Sequence, residues 1–422
     1  MTACATETAP GHQGEERSEG RDEAEAARHP QCTLTADGSY AARLATDGES
    51  FYPERWTLDG PEPYAVPLPG NQPEEPGTAL QPLADGRVLI HRTTRLTAGE
   101  HHFALLYPTG PGTGELPLGT VESERLRLLP PTPHGRAAYA LAVRDESTDL
   151  WLVAGGARGP ELVAAVPGRC SGGAWLDGAG RMLALDRERD GRTKTVVVDL
   201  QRGGEVSPLL QISEESEDRL LLADIDSGLL LLCSDAPSPG RTRLGWGVLG
   251  STLPVRFPHS LRLTGRTVTP LAVQPGQTLT PETAAVALRI DGPTGTRLGV
   301  WRPLDRKVRQ LAPPQGWLTG SAVWTRGGLL RLPCVTDTVP CAVAEVPGPE
   351  AEWDSVPGAG AGARTDNRTD AGPDTDARPD AECRSAQLRT ESTDITPSTA
   401  NSPAAAPIPL GKAPLGPVAA SR

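Results

Sequence analysis

The chain has 422 residues, a net charge of −12 at pH 7, 37% hydrophobic residues and only 4% aromatic ones. An acidic chain without a basic face lacks the footprint of a general nucleic-acid binder, and so little apolar material excludes a packed core running from end to end. Lysine occurs only at 194, 307 and 412, so arginine carries the positive charge, and no apolar run approaches the roughly 20 residues of a membrane span.

Residues 1–30 are polar and acidic around Glu15-Glu16 and Glu23-Ala24-Glu25, with no apolar segment of signal-peptide type. They read as a disordered leader, and a cytoplasmic location is expected. From 31 to 349 a pattern of strand, tight turn and strand recurs every 45 to 54 residues. The turns fall at Asp37-Gly38, Asp85-Gly86, His134-Gly135, Ala179-Gly180, Ser227-Gly228, Pro281-Glu282 and Gly327-Gly328. Each repeat resolves into four short strands, for example 80–83, 87–92, 102–107 and 115–118 in the second. The fourth repeat gives 174–177, 182–186, 194–200 and 206–210, and the last strand of the fifth is expected at 255–257.

A four-stranded sheet needs about 40–50 residues and exposes two apolar faces. Stacking such sheets around an axis buries those faces and leaves short edges. Prolines at 82, 130, 131, 133, 254, 258, 303, 313 and 314 break any long helical period. The fold class is therefore all-β, a β-propeller of seven four-stranded blades. Six or eight blades stay open, because the sixth turn lacks a glycine. Residues 31–35 are expected to close the ring by pairing near 341–346. From 350 to 422 a Gly-Ala run gives way to Thr/Asp/Arg-rich and Pro/Ala/Ser-rich sequence, which reads as a disordered tail.

The fourth repeat carries Trp175, Asp177, Gly178 and Gly180, then Asp190-Gly191, then Asp199-Leu200 and Gly204. This resembles the blade motif of TolB-like propellers and of the propeller domain of prolyl-oligopeptidase-type enzymes; the second, sixth and seventh repeats match more loosely through Asp85-Gly86, Trp301 and Trp324. The resemblance implies a propeller over about 31–346, of the same general kind as WD-repeat arrays, and says little of chemistry. Its enzymes carry a Gly-x-Ser-x-Gly elbow in a hydrolase domain; here 168–173 comes nearest, with the wrong spacing.

No catalytic or metal-binding constellation emerges, and no cofactor is expected. The seven cysteines form no CxxC pair, and Cys334 and Cys341 read as packed thiols. His101-His102 point to opposite sides of a strand, one exposed and one packed, and His134 stands where a turn usually has Asp or Asn. Two charged loops are the candidate binding surface. One is the hairpin around Arg187, Asp190 and Arg192, whose guanidinium forks suit carboxylates and phosphates. The other is the acidic run containing Glu214 and Glu215. Trp317 is a further candidate at a channel mouth. The expected role is a non-enzymatic, monomeric interaction or scaffold propeller whose partner is another protein or peptide, with no nucleic acid and no membrane. The alternatives are a propeller hydrolase or lyase with a metal or carboxylates in its channel, and a regulatory subunit of a separate peptidase.

Overall fold

The computed structural model describes residues 32–93, 99–110 and 112–349. The expected leader and tail lie outside them. Alternating polar and apolar residues, punctuated by glycine turns, fold into seven antiparallel sheets. Blade 1 holds β1 (Cys32–Leu34), β2 (Tyr40–Thr46), β3 (Phe51–Thr57) and β4 (Tyr64–Pro67). Blade 2 holds β5 (Ala79–Pro82), β6 (Val88–Thr93), β7 (Glu100–Pro108) and β8 (Thr113–Glu122). Blade 3 follows with β9 (Arg125–Leu128), β10 (Ala138–Val143), β11 (Ser147–Ala154) and β12 (Glu161–Pro167). In blade 4 the strands are β13 (Arg169–Trp175), β14 (Met182–Arg189), β15 (Arg192–Asp199) and β16 (Glu205–Leu210). Blade 5 has three, β17 (Asp218–Ala223), β18 (Leu229–Ser234) and β19 (Arg243–Val248). Blade 6 has β20 (Thr267–Val273), β21 (Val286–Gly292), β22 (Gly295–Trp301) and β23 (Arg309–Leu311). Blade 7 ends the series with β24 (Val323–Trp324), β25 (Leu329–Cys334) and β26 (Ala342–Pro347). Among the described residues no helix is long and apolar enough to cross a membrane.

First strands touch first strands from blade to blade, as β13 does β17, β17 does β20 and β20 does β24, so they line the axis. Because strands alternate in direction, the first-to-second and third-to-fourth turns share one face of the ring, here the turn face. The second-to-third loops and the connections between blades share the other, the loop face.

Seven buried apolar clusters sit one at each seam between neighbouring blades. Each blade thus hides two faces that it could not bury alone. The turns stack as well: Ala84 N–H donates to Gly135 O at 2.8 Å across blades 2 and 3. At the last seam Gly38, with φ +73°, lies where a Cβ would meet Val323 at 3.0 Å, so a side chain there would be both strained and crowded.

Seven turns mark seven blades, and the turn chemistry is side-chain capping. Asp37 Oδ1 accepts from Ser39 N–H at 3.0 Å, Asp85 Oδ1 from Arg87 N–H at 3.0 Å and Asp177 Oδ1 from Arg181 N–H at 2.7 Å. His134 fills the same position, its Nδ1 accepting from Arg136 N–H at 3.1 Å.

Three expectations need correction. The first strand of blade 4 starts at Arg169 and not at 174, because Gly172-Gly173 is a bulge inside β13 and does not end it. The fourth strand of blade 5 shrinks to one bridge between Trp246 and Arg256, paired at 2.9 Å in both directions. Pro254 and Pro258 bracket Arg256 and remove the donors that would extend it. Finally, among the described residues β1 pairs only with β2, and β26 only with β25. Ring closure is made by side chains: Cys32, Ala41, Trp56 and Leu58 of blade 1 pack with Leu318, Val335, Cys341 and Val343. Arg331 Nη2 adds a hydrogen bond to Leu58 O at 2.7 Å, and Ser321 Oγ donates to Cys32 O.

Candidate functional site

The two charged loops do meet, on the loop face of blades 4 and 5. Arg192 Nη2 donates to Glu215 Oε2 at 2.6 Å, and both side chains are exposed. Thr193 N–H donates to Glu217 Oε2 at 3.1 Å, stitching the hairpin to the connection before β17. Glu214 stands exposed on that connection. Asp190, with φ 54°, is followed by Gly191 with φ 70°. Left-handed conformations at both positions make the two-residue turn a type I′ hairpin, the turn whose twist matches the flanking strands. Asp190 is thus held by its backbone role. Arg187 faces the other way, its aliphatic stem against Gly168 in the seam with blade 3. Trp317 is 7% exposed, inside the cluster between blades 6 and 7, and its indole N–H donates to Ser321 O at 3.1 Å.

Beneath the loops lies a buried ionic network. Lys194 Nζ donates to Asp218 Oδ2 at 2.9 Å, Ser216 O at 2.6 Å and Ser213 O at 2.5 Å. Asp218, fully buried, also accepts from Ser234 Oγ at 2.6 Å and Ile212 N–H at 3.0 Å. An ammonium and a carboxylate so enclosed are tolerable because their hydrogen-bonding capacity is filled. The network fixes the acidic connection onto both blades.

Nearer the axis is a group that sequence reasoning did not find. Asp186, on β14, is buried and accepts from Leu220 N–H at 2.9 Å and Thr195 Oγ1 at 2.8 Å. Burial pushes its carboxyl above the ordinary range, against those hydrogen bonds and the charges of Arg219 and Arg127. Arg127, on β9, donates from Nη2 to Gly172 O in the β13 bulge. Although the residue as a whole is exposed, the protein packed around its guanidinium desolvates it and holds it below its ordinary value, while Asp186 pulls the other way. Arg219, on β17, donates to Ser171 Oγ at 3.3 Å and Thr193 Oγ1 at 3.1 Å. Both arginines are exposed, and these bonds use a minority of their five donors each. Glycine is required at 172: a Cβ there would meet Asp186 Oδ2 at 2.6 Å. The bulge therefore lets the backbone carbonyl reach Arg127 while the carboxylate lies behind it. The arrangement offers two guanidinium groups, from blades 3 and 5, above a single buried carboxylate. It suits capture of an anionic group and supplies no nucleophile and base pair.

The sequence does hold a signal for this group. Arg127 and Gly172 are 45 residues apart, and Arg219 and Ser171 are 48 apart. Those separations equal one blade period, so a pair offset by one repeat meets across a seam. Elsewhere on the loop face, His101 is buried, its Nδ1 2.8 Å from His91 Nε2, whereas His102 lies out near Glu100. Among the described residues no three His, Cys, Asp or Glu side chains are grouped to hold a metal ion.

No protein-family model matches the chain. No curated protein matches it in sequence. Solved propellers do resemble it. TolB from Acinetobacter baumannii is 12% identical, with a TM-score of 0.40, over 76% of this chain and 79% of that one. The β-propeller domain of the Trilobed protease from Pyrococcus furiosus, of open velcro topology, is 12% identical with a TM-score of 0.45, over 75% and 94%. Prolyl oligopeptidase B from Galerina marginata is 11% identical with a TM-score of 0.48, over 80% of this chain and 53% of that one. The chain thus spans about half the length of that peptidase. These likenesses concern the propeller fold.

Proposed function

We propose that this propeller is a non-enzymatic interaction module that recognises an acidic segment of another protein or peptide at its loop face. The observation that carries the reading is the pair Arg127 and Arg219, exposed beside the axis with donors unused. Guanidinium forks bind carboxylates bidentately and select them by geometry. Arg192 and Glu215 form the outer rim, where exposed charges steer encounter and orient a partner more than they hold it. The buried Lys194–Asp218 network supports the reading too, because it keeps the rim in place before a partner arrives.

Affinity recovery of the full-length chain from its native cells tests this. A stoichiometric protein partner is expected, released by moderate salt. Arg127→Ala/Arg219→Ala should lose it, while Arg192→Ala should weaken it only a few-fold. Full retention by the double variant, with loss only when residues 350–422 are deleted, would move recognition away from the loop face.

A further inference from the structure

On the opposite face of the ring, the seam between blades 2 and 3 opens into a cleft of about 630 Å³. Its floor and one wall are apolar: Leu105 of β7, and Leu116, Pro117 and Leu118 of the outer strand β8. Leu116 is 48% exposed and offers its apolar surface to the cleft. Three arginines surround this surface. Arg87 is taken up by Asp85, bonded at 2.8 Å through Nε and 2.6 Å through Nη2. Arg136 and Arg158 are exposed and have no carboxylate partner among the described residues. In a chain of net charge −12, two guanidinium groups without a carboxylate partner on one cleft, lined by polar and apolar groups alike, are a local reversal of sign.

The cleft is preformed. Arg158 rides on the turn between β11 and β12, and that turn is clamped onto β8 through Gly159. A Cβ at Gly159, with φ +105°, would strike Leu118 O at 2.3 Å. Only glycine allows this approach, so Gly159 fixes beside β8 the backbone that carries Arg158. Gly119 of β8 in turn lies where a Cβ would touch Pro160 at 3.1 Å. The volume falls within the range of sites that bury a small ligand, and an apolar lining with few convergent polar groups is their usual chemistry.

We infer that this cleft is a second binding site, for a small amphipathic carboxylate: an acid head on Arg136 and Arg158 and an apolar chain over Leu105, Leu116 and Leu118. Such a head and chain occur both in a free aliphatic acid and at the C-terminus of a peptide ending in apolar residues. The site stands apart from the loop-face reading, and neither depends on the other.

The test is calorimetric titration of the full chain with octanoate and with N-acetyl-Leu-Leu, each beside its neutral amide, and with inorganic phosphate. One or both acids should bind at least about ten-fold more tightly than the matching amide, as charge-assisted bonds require. Saturation by octanoate alone assigns a free acid, and by N-acetyl-Leu-Leu alone a peptide end. Arg136→Ala/Arg158→Ala should lose that binding while keeping the parent melting temperature, because both side chains are exposed. Leu116→Asp should weaken it by repelling head and chain together. Equal binding of acid and amide, unchanged binding by the double variant, phosphate binding as tight as octanoate, or no binding by any acid would overturn the assignment.

Discussion

Two seams of one ring, each with its apolar cluster, place their buried ion pairs differently. Between blades 4 and 5 a buried ammonium meets a fully buried carboxylate, and serine hydroxyls and backbone groups fill the remaining valences. Between blades 7 and 1 Trp56, Leu58 and Leu318 are buried together with Cys32 and Ala41. This seam holds a buried ion pair too, but one confined to blade 1: Glu54 accepts from Trp56 Nε1–H at 2.8 Å and pairs with Arg43 at 2.6 Å. The contrast teaches that seam chemistry follows the task of the seam. The closing seam joins segments some 300 residues apart and needs non-directional attraction, which tolerates small errors of approach. The seam under the charged rim needs fixed geometry, which hydrogen bonds supply.

The largest expected effect is at closure. Trp56→Ala leaves a cavity and takes one hydrogen-bond donor from Glu54, and should cost about 4 kcal/mol by denaturant unfolding. Amide exchange should then quicken in blades 1 and 7 before the others. Exchange spread evenly over all blades would show that closure is no weak point. Lys194→Met strands Asp218 without its cation and should cost about 3 kcal/mol. Equal quickening of exchange at both seams in this variant would erase the contrast.

Blade 2 extends the comparison to a buried polar pair with no counter-ion. Burial, together with the neighbouring His101, lowers His91 to about 4 from an ordinary 6.5; His101 is lowered too, by burial first and with His102 adding to it. His102 is the only other titratable group acting on the pair. As pH falls, the unfolded chain takes up protons first. Stability is therefore full above about pH 6.5 and declines as pH falls toward 4, by up to about 3 kcal/mol from His91. His91→Gln should flatten that part of a pH series of melting curves; an unchanged slope would place the titration elsewhere.

The smallest effect is chemical. Burial raises the Cys32 and Cys341 thiols to about 12, which leaves almost no thiolate at neutral pH. With Cys4 and Cys383 changed to serine, a thiol reagent should label neither residue in the native protein. Trp56→Ala should speed labelling at both by at least about ten-fold, as the seam opens more often. Labelling of blade 5's Cys233 at the same increased rate would again argue against local opening at closure.

The blades were legible because turns are local. A glycine marks six of the seven first turns, in three of them after Asp or its stand-in His134, and the repeat stays visible through the sixth, which lacks it. The Gly172-Gly173 bulge misled because the same glycines serve turns and bulges, and only the partner strand distinguishes them. For the charged loops, the strand order of the resembling blades implied a shared face, and there Arg192 lies beside Glu215. Which residues face solvent depends on the neighbouring blade: Trp317 is core because Ala285, Ala287 and Leu298 of blade 6 belong to the same cluster. Arg127, Asp186 and Arg219 come from three blades, so no window of sequence contains them together.

Every described blade is drawn from one uninterrupted stretch of chain, with no strand lent across the closing seam. During synthesis each blade can therefore complete its own hydrogen bonding as soon as it leaves the ribosome, and dock on the blade made just before it. Blade 1 alone waits with one face bare until the last has been translated. Trp56, Leu58 and their neighbours are thus the surface most in need of a chaperone in the nascent protein, and the face by which two unfinished chains would join.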